Sequence, residues 1–293
     1  MASSPLNQKS NYQARSISLP SKPHPLIVQC NEHLCRLGAS DASSSTSSSL
    51  SSKLSCLQDL HECVEKLLQL PLTQQAIVQE HNDKWVEELL DGSLRLLDVC
   101  TAAKDALIHT KECARELQSI IRRRRGGEME LEREVQKYLM SRKVVKKAAQ
   151  KALKGMERKC AEKNHENLVM VSTLREIEAA TLDVFESLLS YVAGPRSRSN
   201  SSNWSLVFKL VHPKRVACEN EETDKSELEK VDAALNSITG QTSSKSDYNV
   251  HVENVQSSLG QLEPIVQDLE EGLESLFRRL IRTRVSLLNI FNH

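Results

Sequence analysis

Val252–Ile290 reads VENVQSSLGQLEPIVQDLEEGLESLFRRLIRTRVSLLNI. Val252, Val255, Leu259, Leu262, Val266, Leu269, Leu273, Leu276, Leu280, Thr283, Leu287 and Ile290 follow one another in alternating steps of three and four, and only Thr283 is polar. That spacing is the seam of a long helix packed as in a coiled coil. The seam has to be buried against other helices of this chain or against a partner. Matching apolar faces upstream favour this chain itself. Pro264 lies off the seam but lacks a backbone donor, so a kink or restart is expected there.

Working back from the seam, Ser226 and Glu229 form a capping-box pattern for a helix reaching about residue 238. The apolar segment WSLVFKLVHP at 204–213 fits helix or strand equally well. A helix over about 165–193 is closed by Gly194-Pro195, and another over about 128–163 follows Gly126-Gly127. Further upstream, helical runs are predicted over about 93–124 and 73–90, with Asp91-Gly92 as an interruption between them. Leu57, Leu60, Val64 and Leu67 mark a helix that Pro71 ends. Residues 39–53 read as a Ser-rich linker, and Pro25 opens a short helix that Gly38 closes. Residues 1–24 are polar and broken by Pro20 and Pro23, which predicts a disordered arm.

The expected architecture is therefore all-α: an elongated multi-helix bundle with long antiparallel helices over 54–293. Ahead of it stand a disordered N-terminal arm (1–24) and a short helix with its linker (25–53). Composition agrees. Aromatic residues make up 3%, and Gly (9) and Pro (8) are scarce in 293 residues, which disfavours sheets and hairpins. Lys+Arg and Asp+Glu balance at 39 each, so any electrostatic role is local.

The eight cysteines include no CxxC pair, and six sit in helical patterns, where thiols pack as small hydrophobes. Reduced thiols place the chain inside cells, with the cytoplasm as the first expectation. The nucleus and the plastid are alternatives. The plastid reading rests on residues 1–58, which hold only two acids, Glu32 and Asp41, and many serines. No apolar run approaches the ~20 residues of a membrane span.

Neither cofactor nor metal is expected. The chain lacks the phosphate-binding glycine motifs, HExxH and GxSxG. Cys30 and Cys35 flank His33, but on a helix they lie about 140° apart and cannot share one ion. His61, between Cys56 and Cys63, is no better placed. No enzymatic activity is expected.

Two basic regions are candidate contact surfaces. Arg122, Arg123, Arg124 and Arg125 precede Gly126-Gly127, and Arg142, Lys143, Lys146 and Lys147 follow. From 122 to 163 there are fifteen Lys/Arg against six Glu. A bipartite nuclear import signal, an anionic membrane surface and a solvated helix face all fit. Tyr138 is the lone aromatic there, which argues against nucleic acid. At the C-terminus, Arg278, Arg279, Arg282 and Arg284 accompany the seam and form a candidate interfacial cluster, with packing as the competing role.

In the arm, RSISLPSKPHP at 15–25 places Arg15 and Ser16 ahead of Ser18, with Pro20 after it. Upstream Arg helps a basophilic kinase select Ser18, and phosphate there would suit an Arg cluster. The pattern resembles the ligand motif of 14-3-3 adaptor proteins, which makes these adaptors candidate partners.

These residues, together with DGSLRLLDVC (91–100), ELQSIIRRRRGG (116–127) and LESLFRRLIRTRVSLLNI (273–290), resemble the plant-specific domain-of-unknown-function family 241, related to Bypass proteins. The resemblance implies a plant protein, helical throughout, without established enzymatic activity or catalytic residues. It also implies an association with root and shoot development through a root-derived mobile signal. The resulting expectation is a protein-interaction or regulatory factor, with a peripheral membrane protein docking through its basic surfaces as the alternative.

Overall fold

The computed structural model describes residues 24–39, 46–79, 83–123, 128–156, 169–194, 226–239 and 245–292. Among them the chain forms α1 (Pro25–Ala39), α2 (Ser47–Leu68), α3 (Pro71–Gln79), α4 (Asp83–Arg123), α5 (Glu128–Gly155), α6 (Val169–Ala193), α7 (Glu227–Thr239) and α8 (Lys245–Phe291), and no strand. With 47 residues, α8 spans about 70 Å.

Every seam residue of α8 from Val255 to Ile290 is buried, and Val252 is half-buried. The seam packs mainly between α4 and α2 of the same chain. Arg115 pairs with Glu263, Lys111 with Glu270 and Lys104 with Glu274, which sets α4 antiparallel to α8. Gln58 donates to the Gly272 carbonyl and Arg279 pairs with Glu62, which sets α2 parallel to it. Near the far end of α8, Trp85 and Phe291 meet edge to face, their centroids 5.7 Å apart.

Pro264 does not restart α8, because helix continues on both sides. The carbonyl deprived of its donor belongs to Gly260. Both residues are exposed, so water can serve that oxygen.

Asp91-Gly92, expected to break a helix, lies inside α4. A Cβ on Gly92 would stand 2.5 Å from Glu178 Oε2. The missing side chain lets the α6 carboxylate reach across and pair with Arg95. Glycine serves close approach here, not a turn. At Gly194, φ is +72° and the amide donates to the Ser190 carbonyl at 2.9 Å, closing α6 in a left-handed cap.

Part of the expected Ser-rich linker is helical. Ser47–Lys53 form the first turns of α2, capped by Thr46, whose hydroxyl accepts from the Ser49 amide at 3.3 Å. Leu50 and Leu54, one turn apart, are buried and draw the serines into helix. Because α1 packs on α2 and α6, α1 and the start of α2 contribute to the bundle. Ser226 caps α7, its hydroxyl accepting from the Glu229 amide at 3.3 Å. The expected arm and the segment 204–213 lie outside the described residues.

His61 on α2 is fully enclosed. Thr181 donates its hydroxyl to the Ile177 carbonyl, so it accepts from His61 Nε2 at 3.0 Å. Burial, with Arg279 adding repulsion, lowers the His61 pKa from 6.5 to about 4. Below pH 6.5 the unfolded chain binds a proton that the folded chain refuses. The His61 contribution is therefore complete above pH 6.5 and falls away as pH drops towards 4, by about 3 kcal/mol. Urea unfolding across this range should show that extra loss in the wild type relative to His61→Leu. Parallel pH profiles would mean that His61 titrates normally in the fold.

Candidate functional site

Helix α5 is built with two chemically different faces. From Val135 to Gly155 it carries seven Lys/Arg and no acid. Val135, Tyr138, Arg142, Val145, Ala149 and Leu153 recur at helical spacing and are all buried. Arg142 thus occupies a core position and does not join the expected basic surface. Its side chain is 3% exposed, with Nε 3.5 Å from Asp232 Oδ1 of α7. None of its three nitrogens makes a hydrogen bond among the described residues.

Lys146 also turns inward, 2.7 Å from Asp232 Oδ2. Around this junction lie two phenols. Tyr138 is buried, its hydroxyl without a partner among the described residues. Tyr191 of α6 donates to Glu227 Oε2 at 3.0 Å, and Ser47 of α2 donates to Glu227 Oε1 at 2.9 Å. Burial raises both phenol pKa values. Beside Tyr191, the Glu227 carboxylate raises its value further, while Arg142 opposes the rise at both. The junction ties α5, α6 and α7 to the start of α2.

The outward face carries Lys143, Lys147, Lys151 and Lys154, all exposed and without acidic partners among the described residues. Met140 and Val144 stand between them, 60% and 59% exposed. Arg122 and Arg123 are exposed in the last turn of α4, where cations complement the helix dipole. Arg124 and Arg125 lie outside the described residues, as do Arg15, Ser16, Ser18 and Pro20.

The C-terminal arginines are held within the bundle. Arg278 pairs with Glu274 at 3.0 Å, Arg279 with Glu62 at 2.8 Å, and Arg282 with Glu65 at 3.6 Å. Arg284 donates to the Leu90 carbonyl and to Ser93 Oγ. Three of the four contact α2 or α4, whereas Arg278, 69% exposed, pairs along α8 itself.

The thiols at Cys30, Cys35, Cys56, Cys63, Cys100 and Cys113 are free. Burial pushes Cys30 up to about 11 and Cys100 up to about 12, far from a reactive thiolate. His33 accepts from Arg36 at 2.8 Å, and its carbonyl accepts from Cys56. Sequence reading overlooked a contact between α4 and α5: Ser141 Oγ lies 3.0 Å from His109 Nε2 and 3.1 Å from Cys113 Sγ. No carboxylate among the described residues orients His109. The adjoining cavity measures about 40 Å³, room for little more than a water molecule. A larger groove of about 520 Å³ between α4 and α8 is walled by Lys104, Glu270, Glu274 and Arg278, which pair within the bundle.

The Arg142–Asp232 junction should respond asymmetrically to mutation. Asp232→Ala strands a buried guanidinium and should cost about 3–5 kcal/mol. Arg142→Met should cost far less, because Asp232 keeps Lys146. Introduced into Arg142→Met, Asp232→Ala should lose most of its effect. Equal, additive losses in urea unfolding would show that the two charges do not interact.

No curated protein matches the chain, and no solved structure matches it. Residues 53–290 match the family model described as Protein BPS1, which covers α2 from its second turn to the end of the α8 seam. This agrees with the Bypass-related resemblance of the sequence, and the chain belongs to the BPS1 family.

Proposed function

We propose that this chain is a non-enzymatic interaction protein serving root and shoot development, and that it meets its partner through the outer face of α5. The observation that carries this reading is the row Lys143, Lys147, Lys151 and Lys154, which lacks counter-acids among the described residues on a helix whose other face is locked into the core. Membership of the BPS1 family supports the developmental, regulatory setting. The His109–Ser141–Cys113 contact is the strongest enzymatic alternative, but it lacks both an orienting acid and a substrate-sized cavity.

Rescue of a plant line lacking the endogenous protein separates the two readings. The intact chain and His109→Gln/Ser141→Ala should restore growth. The fourfold variant Lys143→Glu/Lys147→Glu/Lys151→Glu/Lys154→Glu should fold, because exposed sites tolerate substitution, yet fail to restore it. The reverse pattern would favour catalysis.

The arm adds regulation in this reading. A phosphate on Ser18, flanked by Arg15, Ser16 and Pro20, would recruit 14-3-3 adaptors. Affinity purification beside Ser18→Ala should show that phosphate and lose the adaptors in the variant. Identical partner lists without phosphate would leave the arm passive.

A further inference from the structure

We infer that the outer face of α5 docks on an anionic lipid surface. This rests on the reading of α5 as the contact face and names what it contacts. Lys143, Lys147 and Lys151 repeat at four-residue intervals, with Lys154 in the next turn. At about 100° per residue they share one broad side of the helix. Met140 and Val144 project from the same side, exposed among the lysines. Apolar side chains ringed by long cations suit a bilayer surface. The apolar tips enter the headgroup boundary while the ammonium groups reach the phosphates.

Charge and shape both favour lipid over other anionic partners. No acid lies between Val135 and Gly155 to repel a negative surface. A single exposed helix face is a ridge, which fits a plane, whereas a partner helix needs a groove with apolar anchors. Met140 and Val144 offer no aromatic platform for the bases of a nucleic acid strand. The helix also cannot roll its lysines away. On the opposite side, Arg142 and Lys146 meet Asp232, and Tyr138 is packed in the core. No helix among the described residues is long and apolar enough to cross a membrane, so contact by these residues is with the surface.

The test is flotation of the full chain with vesicles of phosphatidylcholine and phosphatidylserine, beside vesicles of phosphatidylcholine alone, across a salt series. Binding should require phosphatidylserine and weaken with salt. Each lysine near such a surface is worth about a fivefold factor in partitioning, so Lys147→Glu/Lys151→Glu should lose at least about 25-fold. Met140→Ser/Val144→Ser keeps the charge and should remove the binding that survives high salt. Circular dichroism of each variant should match the intact chain.

Three results would overturn the lipid inference: no flotation of the intact chain, equal flotation with neutral vesicles, or lysine variants that float unchanged. If flotation fails while the fourfold lysine variant still cannot rescue growth, α5 contacts a different anionic partner, such as an acidic protein. If that variant rescues growth fully, the broader reading of α5 falls as well, whatever the vesicles show.

Discussion

The fold depends on burying one side of α8. From Val255 to Ile290 the buried row leaves no room for a polar side chain except Thr283, whose hydroxyl finds no partner among the described residues. A shift of α8 by one residue would rotate it by about 100° and bring charged neighbours into the core. Register is therefore set by the seam. The ion pairs from α8 to α4 and α2 fall into line once that register is chosen, because Glu263, Glu270 and Glu274 flank the buried row on one side and Arg279 and Arg282 on the other. Such pairs are weak individually. They act here as selectors of partner and direction more than as sources of stability.

The same principle of neighbours settles the fate of the two basic regions. Three of the C-terminal arginines, Arg278, Arg279 and Arg282, lie beside carboxylates, and Arg279 and Arg282 reach those of α2. On α5 the inner cations find a single carboxylate, Asp232, shared between Arg142 and Lys146. The outer lysines find none among the described residues. The balanced net charge of the chain hides this local imbalance. One face of one helix stays cationic because no acid among the described residues pairs with it.

Much of this was legible in the sequence. The α8 period of three and four predicted its buried face residue by residue, and the caps at Ser226 and Gly194 announced the ends of helices. Other features were legible only across space. Gly92 reads as a breaker along the chain, and only Glu178, arriving from α6, makes it a packing site. The serines after residue 46 read as a linker, although Leu50 and Leu54 lie one turn apart within them. For Arg142 the signal was present and missed. Val135, Tyr138, Val145 and Ala149 define a buried row that includes it, but its membership of a basic cluster outweighed its phase. Pairing partners such as Asp232, distant in sequence, have no local signature.

The central position of α8 sets an order on biosynthesis. Gln58 meets its α8 partners Gly272 and Ser275 only after more than two hundred further residues have been added. At ribosomal speeds of about 5–20 residues per second, α2 and α4 wait on the order of ten seconds or more with their apolar faces uncovered. Such nonlocal closure is slow and exposes sticky surface. Apolar faces of α2 and α4 thus stay uncovered until α8 emerges, and a stop codon that removes α8 would yield an aggregation-prone remnant rather than a smaller working bundle.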